Sequence, residues 1–222
     1  MKRRAWAVHA AGLAAMAATV SPAAAHPHVW IEMRSDVVFN DQGLITAMNL
    51  MWTFDDGYAQ MALDGLDTNR DGVYSPSELD PLTKENIASL KDYGFFTVLR
   101  YNGQKQALGE VTEFGQIYSN DKLQLHLQVP LATPIDPTKG EFVAKVYDPD
   151  FFIAMDYAKD EPVTVIGAIP KTCQLVVKPV ATDAEIEETR AMLATKGPEW
   201  KPENDEDFGA LFAQPVTIQC KA

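Results

Sequence analysis

The segment Asp67-Thr68-Asn69-Arg70-Asp71-Gly72-Val73-Tyr74-Ser75-Pro76-Ser77-Glu78 constrains this chain more than any other. Oxygen-bearing side chains (Asp67, Asn69, Asp71, Ser75 and Glu78) fall at the first, third, fifth, ninth and twelfth positions, and Gly72 falls at the sixth, where the chain must turn sharply. That is the spacing of a calcium-binding EF-hand loop. Calcium is a hard cation that takes about six to eight oxygens, so short carboxylates and an amide wrap it, a backbone carbonyl joins them, and a longer Glu closes the site through both oxygens. Val73 supplies that carbonyl, which leaves its side chain free. Tyr74 stands where an aliphatic residue is usual and is large enough to tether the loop to a neighbouring core.

The flanks read as the helices such a loop requires. Asp55-Asp56 caps a helix running to Leu66, with Tyr58, Met61, Ala62 and Leu66 on one face. Pro76 suits the first turn of the exit helix, whose buried side is Leu79, Leu82, Ile87, Leu90 and Tyr93 until Gly94 stops it. The insertion covers about 56–93, and strands surround it. Residues 28–39 and 44–54 form a hairpin across Asn40-Asp41-Gln42-Gly43. A second hairpin joins 95–101 to 104–112 across Asn102-Gly103, and a third joins 116–118 to 122–129 across Asn120-Asp121. In the last of these Leu123, Leu125, Leu127 and Val129 point one way while Gln124, His126 and Gln128 point the other, so one face packs and the other is wet or covered by a partner. Pro130, Pro134 and Pro137 mark a loop. Residues 141–147, 163–167 and 172–178 are strands, 183–194 is an amphipathic helix near the C-terminus, 197–209 is an acidic surface loop, and 216–220 is the last strand. The fold class is α+β, mainly antiparallel β and sandwich-like, with the helix–loop–helix inserted.

Lys2-Arg3-Arg4, the apolar run from Ala5 to Val20 and Ala23-Ala24-Ala25 read as a signal peptide over residues 1–25. Cleavage after Ala25 puts alanine at both small-residue positions, leaving a single mature domain of residues 26–222 in the periplasm. No later stretch is long or apolar enough to span a bilayer. The chain has 19 Lys and Arg against 31 Asp and Glu, a formal net charge of −12 that deepens once the basic leader is removed. This argues against nucleic acid and anionic lipid as partners and for attraction of cations. Cys173 and Cys220, an even count in an oxidising compartment and outside any Cys-x-x-Cys pair, point to a structural disulfide.

The mature end His26-Pro27-His28-Val29-Trp30 is the second chemical feature. An N-terminal histidine offers its α-amine and a ring nitrogen to one metal, and His28 adds a second imidazole, a set suited to nickel, cobalt, copper or zinc. Pro27 has no backbone N–H, so a site built on two successive deprotonated amides is excluded. A bridging site completed by His126 stays open. The bland alternative is a free terminus carrying two histidines and a surface His126. Met48 and Met51 on an apolar strand are packing residues before they are soft copper ligands, and Tyr147-Asp148-Pro149-Asp150-Phe151-Phe152 is a strand-ending turn with aromatic anchors. No Gly-x-Ser-x-Gly, Walker or dinucleotide motif occurs.

His26-Pro27-His28-Val29-Trp30, Trp52-Thr53-Phe54-Asp55, Tyr93-Gly94-Phe95-Phe96-Thr97 and Tyr147-Asp148-Pro149 together resemble an uncharacterised bacterial family. It is the one described as the periplasmic component of an ABC-type uncharacterised transport system. The resemblance implies a periplasmic location and, because members' genes neighbour nickel/cobalt efflux permeases, an association with transition-metal traffic at an inner-membrane permease. It supplies no activity and no two-lobed solute-binding architecture. Three readings follow: a metal-binding accessory using His26 and His28 with a structural calcium loop; a calcium-stabilised structural or interaction module; and, least supported, a copper enzyme using the N-terminal histidine.

Overall fold

The computed structural model describes residues 28–150, 152–180, 184–196 and 208–221. The leader, His26 and residues 197–207, which hold most of the expected acidic loop, lie outside them. Among the described residues eleven strands form two sheets: β1 (Val29–Phe39), β2 (Ile45–Phe54), β3 (Thr97–Tyr101), β4 (Gln104–Lys105), β5 (Phe114–Ser119), β6 (Lys122–Ile135), β7 (Phe142–Val146), β8 (Ile153–Tyr157), β9 (Val163–Ile166), β10 (Cys173–Val177) and β11 (Val216–Cys220). Helices α1 (Asp56–Leu63) and α2 (Pro76–Asp92) precede β3, while α3 (Ala184–Leu193) and α4 (Gly209–Phe212) lie between β10 and β11. The six-stranded sheet runs β5-β6-β2-β1-β8, with β9 also on β1, and the five-stranded sheet runs β10-β11-β7-β3-β4.

Period-two patterning builds the core. On β1 the odd residues Ile31, Met33, Val37 and Phe39 are buried, and on β6 so are Leu123, Leu125, Leu127 and Val129. They meet Leu99, Phe142, Ala144, Val146, Val216 and Ile218 of the other sheet in one cluster. The mainly β, antiparallel-dominated class expected from the sequence holds. Among the described residues no helix is long and apolar enough to cross a membrane.

The departures have local causes. β1 takes parallel neighbours along one edge, β8 beside Val29–Met33 and β9 beside Ser35–Val38, and β8 is a strand the sequence pattern does not reveal. β6 continues through Pro130 and Pro134 where a loop is expected: Pro130 pairs with Ala47 beside a bulge, past the end of the β5 ladder, where its missing N–H leaves no ladder bond unmade. Of the expected strand 104–112 only Gln104 and Lys105 pair with β3. Beyond them Leu108 bridges to Leu131 on β6, so this segment crosses from one sheet to the other. Finally, 94–96 is not the start of a strand: Gly94, Phe95 and Phe96 all have left-handed φ, at 58°, 54° and 52°. Two bulky aromatics in that region store strain of about 1–3 kcal/mol each.

Candidate functional site

Local sequence fixes both helices around loop 67–78. Asp55 caps α1, its carboxylate accepting from Tyr58 N–H and, at 2.9 Å, from Trp30 N–H on β1. α1 ends at Leu63 rather than Leu66. α2 opens with Pro76 after a full capping box in which the Ser75 hydroxyl accepts from Glu78 N–H and the Glu78 carboxylate accepts from Ser75 N–H. Thr83 in turn donates to Gln116 on β5 at 3.0 Å, seating α2 on the sheet.

Within the loop the oxygens are gathered by backbone donors. Asp67 accepts from Asp71 N–H and Gly72 N–H at 3.2 and 3.0 Å. Asn69 Oδ1 accepts from Asp71 N–H and Asp71 Oδ1 from Val73 N–H, both at 2.8 Å. Arg70 (φ 61°) and Gly72 (φ 79°) supply the left-handed turns that this wrapping requires. Glu78 closes the loop: Oε1 accepts from Thr68 N–H and its hydroxyl, both at 2.9 Å, and Oε2 from Ser75 N–H and its hydroxyl. These donors, Ser75 first and then Thr68, hold the Glu78 carboxyl at about 2. Tyr74 tethers the loop, meeting Tyr118 of β5 edge-on at 5.1 Å between ring centres.

The donor set of Asp67, Asn69, Asp71, Val73, Ser75 and Glu78 is all oxygen, which fits a hard cation such as calcium and offers nothing to a soft one. Bidentate use of Glu78 would exchange its bonds to Thr68 and Ser75 for the cation. Among the described residues no three His, Cys, Asp or Glu side chains stand grouped as a metal site, so the acids of this loop are held by hydrogen bonds rather than drawn to one point.

His28 and His126 are not brought together, and His26 lies outside the described residues. His28 begins the chain's run along β1, its N–H donating to Phe152 O at 2.8 Å and its ring tilted at 32° against the Phe152 ring, with 4.6 Å between centroids. His126 lies on the outer face of β6, in register with Met51 of β2, itself opposite Arg34 of β1. Arg34 lies six residue steps along the chain from His28, roughly 20 Å at the strand rise, and two strand spacings are added to reach His126. The strand geometry therefore keeps His28 and His126 apart. The His126 ring instead lies over Gly115, where a Cβ would come within 2.7 Å of Nε2.

Around His126 the outer face of the six-stranded sheet forms an open cleft of about 710 Å³ lined by Arg34, Asp36, Asn49, Met51, Glu113 and Gln128, among others. A polar ladder crosses it: Thr164 donates to Asp36 at 2.5 Å, Asn49 to Asp36 at 3.4 Å and Gln128 to Asn49 at 3.0 Å. Arg34 donates to the carbonyls of Asp160 and Glu161. The alternation of Gln124, His126 and Gln128 signals this wet face; that β1 and β2 extend it could not be read without the register. Met48, by contrast, is fully buried packing.

Asp148 organises a loop. It is 4% exposed, and its carboxylate accepts from Asp150, Phe152 and Ile153 N–H at 2.9–3.0 Å, turning the chain from β7 into β8. Burial pushes its pKa up, against the pull of those three donors. Cys173 and Cys220 face each other across β10 and β11 and form the disulfide.

A family model described as "Protein of unknown function (DUF1007)" matches residues 11–220. The chain belongs to the DUF1007 family. One relative is an uncharacterized protein of Haemophilus influenzae, 25% identical over 200 residues that cover 89% of this chain and 92% of that protein. Another is the uncharacterized 15.5 kDa protein in the trpE 3′ region of Spirochaeta aurantia, 30% identical over 99 residues, 45% of this chain and 70% of that protein. Membership in DUF1007 agrees with the uncharacterised family the sequence resembles and carries no activity of its own.

Proposed function

We propose that this DUF1007 protein is an exported binding module, stabilised by calcium in an EF-hand-type loop, that serves transition-metal traffic beside an inner-membrane permease. The observation that carries the calcium part is loop 67–78. Its ligand positions are all oxygen, Arg70 and Gly72 supply its left-handed turns, and Thr68 and Ser75 keep Glu78 ionised at its twelfth position. Calcium titration of the folded protein by calorimetry tests it. Saturable binding weaker than that of cytosolic sensors, at around 10⁻⁴ to 10⁻³ M, suits an extracellular module. No binding sinks it.

The transition-metal part is supported by His26 and His28 near a mature N-terminus formed after Ala25, and by the acidic surface. Nickel, cobalt, copper and zinc titrations of the mature protein and a His28→Ala variant decide it. Binding no tighter than that of an unrelated acidic protein removes this part and leaves the calcium loop. The second reading, a calcium-stabilised interaction module with no transition-metal role, is favoured by one observation: His126 lies too far from His28 to complete its coordination.

A further inference from the structure

Strand register lays a continuous polar row across the outer face of the six-stranded sheet. Thr164 of β9 stands beside Asp36 of β1, Asp36 opposite Asn49 of β2, and Asn49 opposite Gln128 of β6, whose N–H donates to the Glu113 carbonyl. All five residues line the cleft of about 710 Å³, and none of them is buried. That volume lies within the roughly 300–1,000 Å³ of small-molecule sites, and four strand spacings make the row roughly 19 Å long.

Asp36 sets the direction of the bonds along the row. A carboxylate only accepts, so Asn49 turns its amide N–H to Asp36, which leaves Asn49 Oδ1 to accept from Gln128. Thr164 donates to the other Asp36 oxygen. These bonds hold the side chains in place while using only part of their capacity. Among the described residues the second amide hydrogens of Asn49 and Gln128, Gln128 Oε1 and further lone pairs of Asp36 and Thr164 have no protein partner. In the adjoining row Arg34 spends Nη1 alone on the carbonyls of Asp160 and Glu161, and the exposed His126 engages neither ring nitrogen in a hydrogen bond. Donors and acceptors therefore alternate along an open, already ordered surface.

The chemistry of the lining selects among ligands. A purely apolar molecule would take water from these groups and return no hydrogen bond. An anion would meet Asp36, Glu113 and Glu161 against Arg34, on a chain of net charge −12. A cation would find those carboxylates but face the guanidinium and the amide hydrogens of Asn49 and Gln128. A hydroxyl both donates and accepts, so neighbouring hydroxyls on one ring satisfy adjacent donors and acceptors together.

We propose that this cleft binds a neutral, polyhydroxylated chain, a segment of oligosaccharide, whose hydroxyls bond to the Asp36, Asn49 and Gln128 ladder. The site rests on neither the calcium loop nor the N-terminal histidines.

The test is a titration of the ¹⁵N-labelled folded protein with maltotriose, cellotriose and triacetylchitotriose, and with trilysine and succinate as charged probes. The readout is the pair of side-chain amide resonances of Asn49 and Gln128, assigned from their loss in Asn49→Ser and Gln128→Leu. At least one sugar should shift both resonances saturably and bind more tightly than either charged probe. Its affinity should stay within about twofold when salt is raised from about 0.05 M to about 0.5 M, since no ion pair is formed. Gln128→Leu, at a partly exposed outer position, should keep the melting temperature and weaken that sugar about fivefold, the worth of one hydrogen bond, as read on Asn49. Thr164→Ala, at an exposed position, should weaken it as well and keeps the test decisive if Gln128→Leu fails to fold. Absence of a saturable shift with all three sugars overturns the proposal. So does tighter binding of trilysine or succinate than of every sugar, loss of sugar binding in high salt, or undiminished sugar binding by both folded variants.

Discussion

Replacing Cys173 and Cys220 together by alanine should cost about 4 kcal/mol of stability, almost all of it through the unfolded chain. The bridge joins residues 47 apart, and releasing a closed loop of that length restores ~4 kcal/mol of chain entropy to the unfolded state in the loop-entropy model. The folded side should change little. β11 sits between β10 and β7, and its Val216 and Ile218 are 0% and 2% exposed, so the strand keeps its ladder and its burial without the sulfurs. For a domain of this size ~4 kcal/mol corresponds to a fall of about 8–16 °C in Tm. Urea unfolding and thermal melts of the double variant measure it, with the parent in reductant as control; reductant should lower the parent to the level of the variant and leave the variant unmoved. A loss below ~1 kcal/mol would refute the reasoning, since it would mean that the unfolded chain between the cysteines is already as restrained as the bridge makes it.

Other outcomes follow from single contacts. Ser75 and Thr68 hold the Glu78 carboxyl at about 2, below the 4.5 of a free glutamate, so its contribution is present above pH 4.5 and is lost as pH falls through about 2. Glu78→Gln should make that acid limb of the stability curve shallower. Asp136, held at about 2 by Thr138 and Lys139, leaves a residual limb in the variant. Gly209→Ala should destabilise by about 1–3 kcal/mol, because its Cβ would stand 2.0 Å from the Asp148 carbonyl oxygen; denaturant melts matching the parent would contradict that contact. His126→Ala should leave nickel or copper affinity at the mature N-terminus unchanged in calorimetry, and a tenfold loss would mean that the two histidines meet after all.

What the sequence reveals of this fold is what is local. The 28–54 hairpin, the Asp55 cap and the inward leucines of β6 each depend on neighbours within a few residues, and each stands where the pattern puts it. What escapes is what depends on distant partners. β8 has only five residues and no clean alternation, and it is a strand because Asp148 turns the chain toward β1 and Val29 lies beside Ile153. Pro130 reads as a breaker until the bulge on β2 and the end of β5 are known. The loop oxygens could be named as candidate calcium ligands from spacing, but their hydrogen bonding could not, and the separation of His28 from His126 needs the register of three strands.

Thermal unfolding in millimolar calcium and in a calcium chelator, for the parent and for Glu78→Gln, tests the central claim most directly. Calcium bound only by the folded protein must raise its stability by mass action. The loop assignment predicts a rise in Tm with calcium for the parent, none with magnesium at equal concentration, and loss of the rise in Glu78→Gln. A parent that melts at the same temperature with calcium as with chelator, or a Glu78→Gln variant that keeps the full rise, would contradict it.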